Sequence, residues 1–96
     1  MASDYGNRAL ELINKLLAEK PHKIGHEFSE ATRCLTAYRD QLIERWRSSR
    51  GEPDRKRLEQ TNAVLSVLVG AHYPRGDIPW PDLEKARETL AGLVVA

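Results

Sequence analysis

This chain of 96 residues has a single cysteine, no long apolar run and no large excess of either charge. Cys34 stands alone, which excludes an intrachain disulfide and favours a reducing cytoplasm. The most apolar run, AVLSVLVGA, is far shorter than the roughly 20 residues that span a bilayer. The N-terminal stretch MASDYGNRALELINKLL has no uninterrupted apolar region and no cleavage site, which predicts no signal peptide. We therefore expect a cytoplasmic protein without a membrane-spanning segment.

The charge balance is close to neutral, with a formal net charge of +1 at pH 7. This balance gives no overall drive toward nucleic acid or an anionic membrane. Hydrophobic residues make up 41% and charged residues 30% of the chain, as expected of a folded soluble domain. The length predicts one domain, residues 1–96, with a small core, because a chain this short buries only about 60–65% of its unfolded surface.

Two segments in the first half carry apolar residues at helical spacing. The first segment begins at Ser3 or Asp4 and is stopped by Pro21, and the second runs from about Gly25 to Ser49. The apolar residues of the first are Ala9, Leu10, Ile13, Leu16 and Leu17. Those of the second are Phe28, Ala31, Leu35, Tyr38, Leu42 and Trp46.

The second half predicts two more helices, which begin at Pro53 and Pro81. The stripe AVLSVLV within the third segment is apolar on several sides, and a β-strand is the alternative interpretation. A lone strand would lack a partner, so we expect an all-α fold, a small antiparallel bundle of about four helices. The third stripe consists of Leu58, Thr61, Leu65, Leu68 and His72. The fourth consists of Leu83, Ala86, Leu90, Leu93 and Val94.

Two of the three histidines lie in the stretch PHKIGHEFSE. On one helix His26 and Glu30 share a face, and the bundle topology predicts that His72 lies near them. With His22 these side chains offer three nitrogens and a carboxylate, a donor set that suits zinc. No recognised metal spacing is present, however, and a phosphotransfer histidine would need a Lys-Gly pair where this chain has Lys-Ile-Gly. We expect no metal and no cofactor.

The sequence contains no paired-carboxylate, Ser-His-Asp or glycine-rich phosphate motif. Cys34 lies one turn before Tyr38, beside the apolar stripe, and is predicted to be a small buried side chain. A nucleophilic role would require His26 or His72 as its base. These observations predict that the protein is not an enzyme.

A basic segment, RWRSSRGEPDRKR, joins the second and third helices. Acidic residues interleave with its six cations, so a solvated surface with intrahelical pairs is the simpler interpretation. The alternative function is nucleic-acid binding through this helix–turn–helix region, residues 45–57. Its cations are Arg45, Arg47, Arg50, Arg55, Lys56 and Arg57.

Apolar residues in excess of one helical face predict a protein interface. The third helix is apolar around much of its circumference, and the chain is apolar close to its C-terminal end. We therefore predict a homodimer that also binds a protein partner. Trp80, in a loop stiffened by proline, either anchors this interface or covers the end of the bundle. The predicted partner-binding residues are Val64, Val67, Leu68, Tyr73, Ile78, Trp80, Leu93 and Val94.

Three stretches resemble the QslA family, the small helical quorum-sensing antiactivators of pseudomonads. They are LTAYRDQLIERWRSS (35–49), RLEQTNAVLSVLVGAHYP (57–74) and GDIPWPDLEKAR (76–87). The resemblance implies a bacterial, dimeric, all-helical regulator. Such a regulator binds a transcriptional activator and blocks the dimerisation or DNA binding of that activator. The resemblance does not assign a binding role to individual residues in any of the three stretches.

Overall fold

The computed structural model describes the backbone of residues 3–21, 25–72 and 78–95 and the side chains of residues 5–21, 25–71 and 78–94. These ranges contain four α-helices: α1 (Ser3–Glu19), α2 (His26–Ser49), α3 (Glu52–His72) and α4 (Trp80–Val95). No strand occurs among the described residues, so the helical interpretation of AVLSVLV is confirmed. The all-α bundle predicted from the sequence is therefore the observed fold.

The four helices form a ring in which each helix packs against two neighbours. α1 packs along α2 and α4, and α3 packs along the same two helices, whereas the backbones of the diagonal pairs stay apart within the described residues. The core in the centre of the ring contains most of the predicted stripes. The buried apolar residues are Ala9, Leu12, Ile13, Leu16, Phe28, Ala31, Leu35, Tyr38, Leu42, Val64, Leu65, Leu68, Ala71, Leu83, Ala86, Leu90 and Leu93.

Backbone geometry explains where the first two helices end. Lys20 has a left-handed φ of 43°, and its N–H donates to the Leu16 carbonyl at 2.7 Å. Arg50 repeats this arrangement after α2, with φ 52° and a 2.7 Å bond from its N–H to the Trp46 carbonyl. Such left-handed residues close a helix by satisfying one of its last free carbonyls. Pro21, directly after the first of them, cannot continue the helix.

The helix starts agree with the sequence within one residue. Gly25 is the extended N-cap of α2, with φ −126° and ψ −166°. Helix α3 begins at Glu52 and α4 at Trp80, each one residue before the predicted proline. Acidic residues occupy the first turns of α2, α3 and α4, where the helix dipole favours negative charge.

The helices differ in length, and the difference matters for the surface. α2 has 24 residues and α3 has 21, against 17 in α1 and 16 in α4. At 1.5 Å per residue the first two are about 36 and 32 Å long, and the others about 26 and 24 Å. No residue between Leu42 of α2 and Thr61 of α3 is fully buried. The extra length therefore lies at the α2–α3 turn, and we call residues 43–60 the hairpin tip.

Candidate functional site

Three of the predicted partner residues are buried within the single chain. Val64, Leu68 and Leu93 are buried in the core of the single chain, with exposed fractions of 1%, 0% and 7%. They cannot contact a partner unless the bundle opens. The physical reason is that α3 has two neighbours in the ring, α2 and α4, and so buries a wide arc of its surface.

The other predicted partner residues have mixed positions. Val67, Ile78 and Val94 are partly buried and pack against the core. Tyr73 lies outside the described residues. Residue 69, by contrast, was not among the predicted set, yet Val69 is 46% exposed. The apolar girdle of α3 is thus mostly core, with one valine left on the outside.

Trp80 covers one end of the bundle. Its ring lies 6.2 Å from the ring of Phe28, centroid to centroid, with the two planes inclined by 44°. Phe28 is fully buried, and Trp80 is half-buried against the same core. This geometry is a tilted aromatic contact, in which the indole shields a core phenylalanine from water. The side chain therefore acts as a lid in the isolated chain.

Only part of the predicted histidine cluster lies among the described residues. The His26 side chain is 82% exposed and its Nε2 lies 3.7 Å from an oxygen of Glu30. Glu30 also accepts a hydrogen bond from Arg8 at 3.2 Å, which raises the pKa of that arginine. His22 and the side chain of His72 lie outside the described residues. Among the described side chains, no three of the His, Cys, Asp and Glu residues come close enough to hold a metal ion.

An open groove runs along the outer side of α2 and α3. It has a volume of about 480 Å³ and is lined by Arg39, Asn62, Leu65, Ser66, Val69 and Gly70. Arg39 pairs with its neighbour Asp40 at 3.3 Å, while its Nε is buried without a hydrogen-bond partner among the described residues. Such a buried donor is an uncommon feature of a folded chain, and a water molecule satisfies it where space allows.

At the hairpin tip, the face of α2 that is buried in the core continues beyond its last fully buried residue. Trp46 follows Leu42 by four residues and Tyr38 by eight, so the three side chains share one helical face. Tyr38 and Leu42 are buried, whereas Trp46 is only half-buried. On α3, Leu58 has the same relation to buried Thr61, three residues further along.

The contacts of Gly6 show why this cover ends. A Cβ on Gly6 would lie 2.7 Å from Val94 Cγ1 and 3.1 Å from the ring of Tyr38, so the three residues lie at one level of the bundle. Trp46 is about 12 Å further along α2 from Tyr38. In that direction α1 has three described residues beyond Gly6, about 4.5 Å, and α4 has one beyond Val94. The described parts of α1 and α4 therefore end short of Trp46.

Ion pairs neutralise most of the acidic residues at the tip. Arg47 binds Glu44 at 3.0 Å. Arg55 binds both Glu52 and Glu59, the latter at 2.8 Å. The hydrogen bond from Arg55 holds the pKa of the Glu52 carboxyl below its ordinary value. All of these pairs are exposed and hence contribute little to stability.

Three arginines at the tip have no such partner. Within the described residues, Arg45, Arg50 and Arg57 form no ion pair with a carboxylate. The Arg50 guanidinium instead lies over the Trp46 ring, 4.3 Å from its centroid, which is a cation–π contact. Arg57 lies one turn before Thr61, whose hydroxyl donates to the Arg57 carbonyl at 2.8 Å. By helical spacing, Arg45 lies three residues after buried Leu42 and Arg57 four before Thr61, so both flank the core face.

We call the surface formed by Trp46, Leu58, Arg45, Arg50 and Arg57 the tip face. It combines an apolar centre with cations that no described carboxylate neutralises. Such a surface favours contact with an apolar, negatively charged group. The sequence assigned Trp46 to the core stripe and the arginines to a solvated turn, and so did not identify this surface. A comparison of the predicted helix lengths would have indicated it.

Comparisons with protein-family models, with curated proteins and with solved structures found no match to this chain. The resemblance to the quorum-sensing antiactivators therefore stays a prediction. None of the described helices has the length and apolar character that crossing a bilayer requires.

Proposed function

We propose that this chain is a non-catalytic regulator that works by binding another protein through its tip face. The resemblance to the quorum-sensing antiactivators supports a transcriptional activator as the partner, whose dimerisation or DNA binding the complex would block. The fold suits this role because the α2–α3 hairpin extends beyond the ring of four helices.

The observation that carries the proposal is the partly buried Trp46 at the end of a core face. Tryptophan and arginine are the residue types most often found at the energetic centre of protein interfaces. Trp46 stands on a regular helix and is held by Arg50, so it loses little conformational freedom on binding. Among the described residues, the large hydrophobic side chains that are exposed are Tyr5 and Val69, and Trp46 is more buried than either.

Capture from cells tests this proposal. The purified chain, its Trp46→Ala variant and an Arg47→Ala control are immobilised, and bound proteins are identified by mass spectrometry. Arg47 is a suitable control because it is exposed beside Trp46 and already paired with Glu44. We expect a partner that the parent and the control retain and the Trp46→Ala variant loses. A partner that all three retain equally would contradict the proposed site.

The activity of a captured activator tests the regulatory part. Adding the chain to the activator on its operator DNA should release the activator, as judged by gel mobility shift. The Trp46→Ala variant should need roughly tenfold more protein for the same release, as expected for loss of an interface anchor. A partner that stays on DNA in the presence of saturating chain would refute the antiactivator role.

We propose that two copies of this chain associate only weakly. With Val64, Leu68 and Leu93 inside the core, the remaining apolar surface on the described residues is small, which favours an exchangeable dimer over a tight one. Val69, on the outer groove, is its best candidate contact. Sedimentation equilibrium at micromolar concentration should show a dimer that Val69→Glu dissociates with its helicity retained. A stable dimer that tolerates this charge would place the contact elsewhere.

Nucleic-acid binding is the second candidate, because Arg45, Arg50 and Arg57 lack carboxylate partners. A mobility-shift assay with a salt titration separates it from protein binding. Three phosphate contacts would give a slope of log K against log salt of about −3. Loss of this binding on replacing Arg55, Lys56 and Arg57 by alanine would favour nucleic acid as the ligand.

A further inference from the structure

We infer that the tip face binds a short amphipathic helix whose apolar stripe is flanked by Asp or Glu residues. This inference rests on the proposed function and adds the shape and the charge of the partner. The occupant is a helical segment of another protein, held across α2 and α3 where the described parts of α1 and α4 no longer cover them.

The bundle itself shows what kind of element fits this face. From Phe28 to Leu42, the inward face of α2 is buried in the core that the other three helices complete. The same α2 face continues to Trp46, and the same α3 face continues back from Thr61 to Leu58. A helix that packs on these two side chains would extend the ridges-into-grooves packing of the ring by one or two turns. A helical occupant thus repeats contacts that the fold already makes.

The dimensions of the tip limit the length of this segment. Trp46 lies about 12 Å beyond the level of Gly6, and the described part of α1 covers about 4.5 Å of that distance. The uncovered stretch of α2, from Trp46 to Ser49, adds about one further turn. A helix of two to three turns, with apolar residues three and four positions apart, fills the available space.

The charge of the face selects acidic flanks. Arg45 and Arg57 border the apolar centre on α2 and α3, and neither forms an ion pair among the described residues. The nearby carboxylates of Glu44, Glu52 and Glu59 are already bound by Arg47 and Arg55. The net charge of +1 therefore conceals a local positive field at this face. Carboxylates of a bound helix would meet arginines that are free to form bidentate pairs.

A helix suits this face better than a nucleic-acid backbone does. Trp46 and Leu58 form an apolar centre that phosphates would leave unused. At the outer end of the tip, Asp54 lies in the first turn of α3 without an ion pair among the described residues, and its charge repels a polyanion that passes over the turn. A short helix between α2 and α3 can end before it reaches this carboxylate.

A displayed peptide library tests the inference directly. Peptides of about 14 residues carry leucine at helical spacing, and their flanking positions vary among Glu, Lys, Gln and Ser. Selection against the full chain should enrich Glu over Lys at the flanks by at least about fivefold. Equal enrichment of Lys and Glu, or selection of peptides without the leucine stripe, would overturn the inference.

Variants then locate the bound peptide. Binding of the best peptide, followed by fluorescence anisotropy, should weaken about tenfold for Trp46→Ala and for the double charge reversal Arg45→Glu/Arg57→Glu. Arg47→Glu is the matched control, because Arg47 is already paired with Glu44 and its charge should matter little. A peptide with Lys at the flanks should regain affinity for the charge-reversed variant. Insensitivity to all of these changes would place the peptide elsewhere and refute the site.

The same variants separate failure of the inference from failure of the proposed function. A cellular partner that requires Trp46 but tolerates Arg45→Glu/Arg57→Glu would leave the function standing and refute the acidic helix. Competition with a short DNA duplex supplies the remaining outcome. Displacement of the peptide by DNA at lower concentration than by unlabelled peptide would assign the tip face to nucleic acid instead.

Discussion

Alanine at position 6 should destabilise the protein, although alanine normally favours a helix. Gly6 lies in α1 at the level where α2 and α4 approach it most closely. A Cβ there would be 2.7 Å from Val94 Cγ1 and 3.1 and 3.2 Å from two ring carbons of Tyr38. Carbon atoms prefer separations of about 3.5–4.0 Å, so one of the neighbours has to move. Tyr38 is 6% exposed and fixed in the core, which leaves a shift of Val94 or of α1 itself.

Two opposing effects set the change in the free energy of unfolding for Gly6→Ala. Inserting a methyl group into a packed contact costs about 1–3 kcal/mol in the free energy of unfolding. Replacing glycine by alanine within a helix returns about 0.8–1 kcal/mol. The net expectation for Gly6→Ala is a loss of about 1 kcal/mol, since the last turn of α4 can yield part of the space.

Gly92→Ala is the matched control. This glycine is also helical, yet a Cβ there would meet nothing within 4 Å. Its substitution should raise the free energy of unfolding by about 0.5–1 kcal/mol, less than in mid-helix because it lies near the end of α4. The two variants should thus differ by about 2 kcal/mol, or about 10 °C in Tm for a domain of this size.

Urea denaturation followed by far-UV circular dichroism measures both variants. The double variant Gly6→Ala/Val94→Ala adds a sharper test, because it removes the nearest atom. We expect the two substitutions to couple favourably by about 1 kcal/mol. Equal stabilisation by Gly6→Ala and Gly92→Ala, with no coupling to Val94, would refute this register of α1 against α2 and α4. The position of the tip face depends on the same register and would then have to be revised.

Three further predictions test the core, a helix end and an ion pair. Leu35→Ala should cost about 2–5 kcal/mol in urea denaturation, because Leu35 is fully buried; a loss below about 0.5 kcal/mol would show that the core is misplaced. Lys20→Gly should raise Tm, with a gain of about 1 kcal/mol, because the left-handed φ of 43° at Lys20 suits glycine; an unchanged Tm would contradict that backbone conformation. The pKa of Glu52 is lowered by its hydrogen bond from Arg55, so the pair stabilises the fold above the ordinary carboxyl pKa and loses this effect as pH falls through the lowered value. The parent should accordingly be slightly more stable than Glu52→Gln near about pH 7, with a difference that shrinks as the pH falls through the lowered pKa, and a difference that grows in acid would have the wrong sign.

The sequence predicted the helices well because their ends depend on local chemistry. Pro21, Gly25, Pro53 and Pro81 each restrict the backbone in a way that adjacent residues cannot override. Their positions agree with the observed boundaries within about one residue at the starts of α2, α3 and α4. Periodicity then assigned most core residues, with Leu12 as a buried side chain that the predicted stripe omitted.

The predicted partner residues Val64, Leu68 and Leu93 are buried in the single chain for a tertiary reason. The prediction assumed that a small bundle shields one face of each helix. In the observed ring each helix has two neighbours as well as the shared centre, so α3 buries apolar residues on more than one side within a single chain. Counting apolar sides of a helix does not reveal how many neighbours it has, and only the arrangement of the other helices decides whether such residues become core or interface.

The tip face was hidden because the stripe of α2 continues evenly past the point where its cover ends. Phe28, Leu35, Leu42 and Trp46 follow one helical spacing, and nothing in that spacing shows which of them α1 reaches. Charge provides the missing signal. Arg45 borders the same face beside Trp46. A helix that is covered at this position would carry an apolar residue there, because an unpaired charge is costly to bury. We propose that another molecule covers this face, on which the stripe keeps its aromatic residue while its borders become basic, and that the arginines favour an acidic cover.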